Sequence, residues 1–297
     1  MGMSTPVIET TALTKRFGAT TAVDALDLAI PQGEVFGFLG PNGAGKTTTI
    51  RLLLGLNRPT SGEARIYGHD AWAAPVRTHR HLAAVPADPA LWPQLTAHET
   101  FDLLGNLHGS CDAAYRDELI ERFDLEPDKK MRAFSTGNRQ KVALIAAFMT
   151  RPDVLIFDEP TSGLDPLRKV VFRECLVEAK GRGQTIFLSS HLLIEVEASA
   201  DRVGLLRRGR LVEVGTFAQL RHLSAARIEV TFEGDPPDLA GVSGVQGAHV
   251  DGHHLTFHVH GSMAPVLAAL APARPIHLTS HEPSLEDLFL ARYGDDD

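Results

Sequence analysis

From Gly40 to Thr47 the chain reads Gly-Pro-Asn-Gly-Ala-Gly-Lys-Thr, a complete match to the pattern of a phosphate-cradling loop. Glycines let successive backbone N–H groups turn inward around phosphate oxygens. Asn42, Gly43, Ala44 and Gly45 supply the cradle. Lys46 can bridge the β- and γ-phosphates, the Thr47 hydroxyl suits Mg²⁺, and Thr48 lies where it can approach the α-phosphate. A helix starting here adds about half a positive charge at its N-terminus. A second cluster follows: Asp158 and Glu159 come directly after the apolar run Val154-Leu-Ile-Phe157. A buried strand of that kind carries its carboxylates to its C-terminal edge, where open α/β sheets bind ligands. Asp158 can hold Mg²⁺, and Glu159, facing differently, can polarise water. His191 stands just past another apolar run, and Ser135-Thr-Gly137-Asn138 reads by itself as a helix cap.

These residues need a particular scaffold. Val35 to Leu39 is a short apolar run feeding the loop, and Thr48 to Leu54 has helical character, so strand, Gly-rich loop and helix follow in order. Upstream, Leu26, Leu28 and Ile30 alternate with Asp27 and Ala29, the period of a half-buried strand, and Val7 to Ile30 reads as paired strands. The three prolines between Pro86 and Pro93 mark a surface loop. Thr96-Ala-His-Glu99 is a capping box. It opens a mainly helical stretch to Met149, broken at Gly109-Ser110 and near Pro127. Thr185 to Leu188, like Val154 to Phe157, fits a central parallel strand buried on both faces. The fold expected is therefore an α/β phosphate-loop core with a mostly parallel sheet, an antiparallel β subdomain, and an α-helical insertion at about 88–150.

Composition shifts near Leu223, and a small α+β domain is expected over residues 223–297. Its strands would be Arg227 to Phe232, two more flanking a hairpin turn at Asp251-Gly252, and Pro275 to Leu278. Helices are expected over Met263 to Leu270 and Ser284 to Tyr293. His254, His258 and His260 share one face of a strand pattern, which reads as a polar exposed face, because no carboxylate or cysteine joins them at ligand spacing. Arg207-Arg208-Gly209-Arg210 reads as a solvated hairpin tip.

A chain of 297 residues with 43% hydrophobic content can build one large core and one small one. Its net charge of −8 argues against a dedicated nucleic-acid binder. Two cysteines, Cys111 and Cys175, form no metal spacing or disulfide framework, which fits a reducing cytosol. No secretory signal is expected at the N-terminus. No apolar run approaches the roughly 20 residues that span a bilayer.

Taken in order, the motifs resemble those of ABC-type ATPases. Asp158-Glu-Pro-Thr-Ser-Gly-Leu-Asp165 is similar to their Walker B and D-loop, and Ser135-Thr-Gly-Asn-Arg-Gln140 to their signature, usually written LSGGQ. His191 matches the switch histidine, and Phe17 the aromatic that stacks on adenine. The resemblance covers about residues 7 to 222. It implies a homodimer in which each ATP lies between the phosphate loop of one copy and the signature of the other. It implies ATP and Mg²⁺ as cofactors and Glu159, His191 and Lys46 as the catalytic groups. Phe17, Val23, Asn42 to Thr48, Ser135, Gly137, Asn138 and Asp165 would bind nucleotide, and Thr47 and Asp158 would bind metal.

The tail Glu282-Pro-Ser-Leu-Glu-Asp-Leu-Phe289 resembles that of ATPase subunits of bacterial drug, antibiotic and lipid exporters. Such subunits dock on a separate transmembrane permease at the cytoplasmic face of the membrane, and the resemblance implies the same here. Two departures stand out. The family's loop glutamine aligns with Ala87, beside Asp88, and Thr136 and Asn138 replace the signature's glycine and glutamine. Two rival roles are a soluble ABC ATPase of translation or repair and a nucleotide-gated module of low turnover.

Overall fold

The computed structural model describes residues 6–192, 196–197, 199–221, 226–259 and 261–281. The chain divides into two compact units, Met1–Val214 and Gly215–Asp297. The first begins with β1 (Pro6–Phe17) and β2 (Thr20–Pro31), then β3 (Val35–Leu39), α1 (Lys46–Leu53), β4 (Ser61–Ile66) and β5 (His69–Asp70). Next come α2 (Pro75–His79), β6 (Leu82–Val85), α3 (Ala97–His108), α4 (Ala113–Arg122) and α5 (Thr136–Met149). The unit closes with β7 (Val154–Asp158), α6 (Pro166–Gly181), β8 (Thr185–Ser190), β9 (Arg202–Arg207) and β10 (Arg210–Gly215), whose last residue opens the second unit.

Two sheets build this unit. An antiparallel sheet has the order β2-β1-β4-β5, and its strand β2 alternates as the sequence predicts, with Leu26, Leu28 and Ile30 buried. The second sheet has the order β10-β9-β3-β8-β7-β6. Its strands β9, β3, β8, β7 and β6 pair in parallel, and β3, β7 and β8 are buried along their full length. Continuous apolar runs, rather than alternating ones, are what a sheet covered on both faces demands. The register places Leu39 beside Ser190 and Asp158 beside Ser189, so three strands end in one row.

Between β6 and β7 the chain is helical, as its caps dictate. Thr96 and Glu99 form the reciprocal box: the Glu99 N–H donates to Thr96 Oγ1 at 3.2 Å, and the Thr96 N–H to Glu99 Oε2 at 2.7 Å. The helix stops at Gly109, whose φ of 84° is left-handed. Asp112 caps α4 and Ser135 caps α5. Helix α5 is buried from Gln140 to Met149, and Phe148 meets Phe157 of β7 at 5.4 Å and Phe172 of α6 at 6.1 Å between ring centroids. That aromatic cluster locks the helical segment to the sheet.

The second unit holds α7 (Phe217–Arg221), β11 (Ala226–Phe232), β12 (Val245–Asp251), β13 (His254–Val259), α8 (Ala264–Leu270) and β14 (Pro275–His281). Its antiparallel sheet has the order β12-β13-β11-β14, with Ile228, Val230, Phe232, Leu255 and Phe257 in a core against Val266 and Leu270. The hairpin turns at Gly252-His253, one residue later than the sequence suggests, because Asp251 still pairs with His254. His254 bonds Thr231 and His258 lies exposed; among the described residues no cluster suits a metal. His260, the expected helix at 284–293 and the tail motif lie outside the described residues.

Two measurements check this packing. Phe148→Ala should lower stability by about 3–5 kcal/mol in urea unfolding, whereas a cost below about 1 kcal/mol would mean that the cluster does not tie α5 to the sheet. Burial pushes the Cys175 thiol up to about 12, leaving on the order of 10⁻⁴ of it ionised at pH 8. Iodoacetamide should therefore label exposed Cys111 and spare Cys175 in the native chain, as peptide mass spectrometry would read. Equal labelling of both would show that Cys175 is not enclosed.

Candidate functional site

The phosphate loop leaves β3 at Leu39 and enters α1 at Lys46. Gly45 has φ 111°, and a Cβ there would stand 2.3 Å from the Ala22 carbonyl oxygen of β2. Gly40 is equally confined, with a Cβ 2.4 Å from the Leu206 oxygen. These two glycines therefore pass where no side chain fits, while Gly43, φ 81°, supplies the left-handed turn in open space. Helix α1 starts without a side-chain cap and without an acidic residue in its first turn, so no residue of its own first turn answers its N–H groups and dipole.

The Arg208-Gly209 turn is a hairpin tip with Arg208 and Arg210 exposed, as expected, but its backbone is docked rather than free. Its Gly209 N–H donates to the Ala44 carbonyl at 2.8 Å, and its own carbonyl accepts from the Asp24 N–H at 2.8 Å. Arg210 pairs with Asp24 at 2.7 Å. Gly209 can lie there because a Cβ would come within 2.9 Å of the Ala22 oxygen. The hairpin of β9 and β10 thus braces the phosphate loop against β2.

Lys46, nearly buried, donates to the carbonyls of Gly40 at 2.6 Å and Pro41 at 3.2 Å, and its Nζ stands 3.2 Å from Glu159 Oε1. The other oxygen of Glu159 lies 2.7 Å from His191 Nδ1. A carboxylate only accepts, so Nδ1 carries the proton and Nε2 is the nitrogen available to a ligand. Asp158, one residue earlier and 2% exposed, accepts from the Ser189 hydroxyl at 2.6 Å. The Glu159 N–H in turn donates to the Ser189 hydroxyl and carbonyl, both at 3.2 Å. Those bonds hold Glu159 at φ 48°, a left-handed conformation costing about 1–3 kcal/mol for a residue with a Cβ. The strain turns the Glu159 side chain away from the direction of Asp158, toward Lys46 and His191.

The structure brings Lys46, Asp158, Glu159 and His191 to one strand-end row, and Thr47 stands exposed beside Lys46. Phe17 is 51% exposed with Lys15 Nζ over its ring at 4.9 Å, and it ends β1 opposite Thr20, near the β2 position that meets Gly45. Val23 departs from the expectation: its side chain is fully buried in the core, so it supports the loop from behind and offers no surface to a nucleotide. Ala44 is buried too, leaving only its backbone for that purpose. Ser135 lies exposed and caps its own helix, its hydroxyl accepting from the Asn138 N–H at 3.3 Å. Asp165 caps α6 through the Arg168 N–H at 3.0 Å, and that bond holds its carboxyl below the usual range. Ala87 is half-buried and Asp88 exposed in the loop after β6, where β6 runs beside β7.

Sequence reasoning missed the contacts of Ser189, Gly209 and Gln140, although Gln140 stands in the signature-like stretch and Gly209 in the hairpin tip. The Ser-Ser end of β8 was a visible signal only once its register against Asp158 was known. Gln140, fully buried in α5, donates from Nε2 to the Pro160 carbonyl at 3.1 Å.

A phosphate loop on a parallel sheet, with two carboxylates and a histidine at the same strand ends, defines a phosphate-loop ATPase. Comparison with known proteins narrows this. Residues 23–162 match the ABC transporter family model. The chain is 35% identical to the bacitracin transport ATP-binding protein BcrA of Bacillus licheniformis, covering 98% of both chains. It is 37% identical to the daunorubicin/doxorubicin resistance ATP-binding protein DrrA of Streptomyces peucetius, over 73% of this chain and 67% of that one. A solved ATP-binding subunit of an ABC transporter superposes with a TM-score of 0.68 at 32% identity, covering 73% of this chain and 92% of the other. A dimeric cassette bound to ADP and Pi shares the fold, with a TM-score of 0.64 at 23% identity over 70% of this chain and 98% of that one. The chain belongs to the ABC transporter family, as an ATP-binding ATPase subunit.

Gly45→Ala tests the loop geometry. The methyl group would meet the Ala22 oxygen in a backbone region unfavourable to alanine, so ATP affinity should fall about tenfold or more. Unchanged affinity in a fluorescent-nucleotide titration would show that the loop does not need this close approach.

Proposed function

We propose that this chain powers export through a separate transmembrane permease, as a homodimer that binds ATP between its copies and hydrolyses it with Mg²⁺. The relatives' names support export: one is a bacitracin transport protein, another a daunorubicin/doxorubicin resistance protein. Among the described residues no helix is long and apolar enough to cross a membrane, so passage of cargo falls to the partner. The chain then works from the cytoplasmic face, docked on that permease.

One observation carries the chemistry: Glu159 is held between Lys46 and His191 at the strand ends. The loop N–H groups and Lys46 take the phosphate oxygens, and the triphosphate competes with Glu159 for Lys46. Once Lys46 turns to phosphate, the Glu159 carboxylate is free to orient water and take its proton. Phe17 stacks on the adenine from the hairpin end. His191, aligned through Nδ1, offers Nε2 to the γ-phosphate and the water. Thr47 and Asp158 would hold Mg²⁺; the exposed hydroxyl and the buried carboxylate, oriented by Ser189, are donors of the hard-oxygen type this ion selects. Bound there, the ion supplies charge neutralisation for the transferring phosphoryl group.

Ser135 and Gly137 stand at the start of α5, where N–H groups and dipole suit the γ-phosphate on a second copy. Asn138 and Asp165 flank that contact from the same copy. Loss of the γ-phosphate removes the bridge, and the copies part. The second unit, Gly215–Asp297 rather than the expected 223–297, would stabilise or regulate this pairing.

Glu159→Gln should slow hydrolysis by roughly 10²- to 10⁴-fold with ATP affinity retained. Phosphate release and nucleotide titration check both numbers, and near-normal turnover would remove Glu159 from the role.

A further inference from the structure

We propose that Gln140 is a positioning residue for hydrolysis: its buried amide grips the Pro160 carbonyl and ties the helix opened by Ser135 to the turn that presents Glu159. The inference rests on the reading of Glu159 given above.

Gln140 is an expensive residue in its position. It is fully buried in a helix that is otherwise apolar from Val142 to Met149, and its Oε1 is buried without a hydrogen-bond partner. A methionine would fill similar space without stranding a polar atom. What the glutamine adds is a donor, Nε2, placed 3.1 Å from the Pro160 oxygen. Pro160 directly follows Glu159, whose left-handed backbone is the unusual conformation of the site. Proline fixes its own φ, so holding the Pro160 carbonyl, which belongs to the Pro160–Thr161 peptide, anchors the chain one residue after Glu159.

The same helix face makes a second contact with the same turn. Gly137 lies one helical turn before Gln140, so the two residues share a face. A Cβ on Gly137 would stand 2.3 Å from the Gly163 oxygen, so the helix backbone rests directly on the turn. The turn is itself closed by the Ser162 N–H on the Glu159 carbonyl at 3.1 Å and the Leu164 N–H on the Thr161 carbonyl at 3.1 Å. Further along, Arg168 of α6 bonds the Phe123 carbonyl at 3.1 Å and pairs with Asp124 at 2.6 Å, fastening the far side of the turn to the helical segment. The start of α5 and the Glu159 turn therefore move as one piece. The helix end offered to a second copy's phosphate is mechanically joined to this copy's own water-orienting carboxylate.

The test uses the full chain as wild type, Glu159→Gln, Gln140→Met and Gln140→Glu. Steady-state kcat and KM for Mg-ATP are measured between pH 6 and 9, with thermal melting and fluorescent-nucleotide affinity as controls. Gln140→Met keeps the volume and loses the donor; its kcat should fall about 10- to 100-fold with KM changed less than about twofold. Gln140→Glu gives a readout that packing alone would not move. Burial favours its neutral form, whose O–H donates to the Pro160 carbonyl at low pH, and ionisation at higher pH sets a carboxylate against that carbonyl. Its kcat relative to wild type should be high at pH 6 and fall as pH rises. The inference is overturned by a wild-type kcat in Gln140→Met, by joint loss of kcat, nucleotide affinity and melting temperature, or by a Gln140→Glu profile parallel to wild type. Near-normal turnover of Glu159→Gln would instead overturn the reading of Glu159 on which the inference rests.

Discussion

Everything at this site depends on several parallel strands ending together. Leu39, Asp158 and Ser190 close β3, β7 and β8 at neighbouring positions of one register. The next residues along the chain are then Gly40 of the phosphate loop, Glu159 and His191. No side chain has to reach far: Lys46 meets Glu159 at 3.2 Å and His191 meets it at 2.7 Å. A slip of one residue in β7 would turn Asp158 and Glu159 to the opposite faces of the sheet and break the site. The buried apolar strands thus do more than fill the core, because their packing fixes the register that the chemistry uses.

A second constraint is the closeness of backbone to backbone around that row. Gly40 lies on Leu206, Gly45 and Gly209 lie on Ala22, and Gly137 lies on Gly163. Each pair joins segments distant in sequence, and each would be pushed apart by a methyl group. The phosphate loop is gripped between β2 and the β9–β10 turn, while the start of α5 rests on the turn after β7. Preorganisation of this kind holds the loop backbone and its dipoles ready for phosphate, leaving Lys46 as the charge that turns when phosphate arrives.

The fold was legible wherever one local rule dominated. The capping box at Thr96 and Glu99, the alternation in β2 and the continuous apolar runs of β3, β7 and β8 each name their element directly. Lys46, Asp158, Glu159 and His191 were legible as types and spacing. What the chain could not disclose were relations between segments. Val23 is a nucleotide contact by the family resemblance, yet the irregularity in β2 at Ala25, φ 47°, shifts the alternation so that Val23 joins Leu26, Leu28 and Ile30 in the core. Arg207 to Arg210 reads as a charged tip, yet Gly209 docks on the phosphate loop. Gln140 reads only as the end of the signature-like stretch, with no contact assigned to it, and packing reveals that it is buried against Pro160.

The central claim is that each ATP is completed by residues from two copies, and mixing two inactive variants tests it most directly. One variant carries Lys46→Ala and the other Ser135→Arg, so each pure homodimer has a defect in both sites. A mixed dimer has one site with both halves intact. Random pairing makes half the dimers mixed, each with one working site of two, so phosphate release should recover to about a quarter of the wild-type rate. A mixture no more active than its two inactive parents would contradict the shared site.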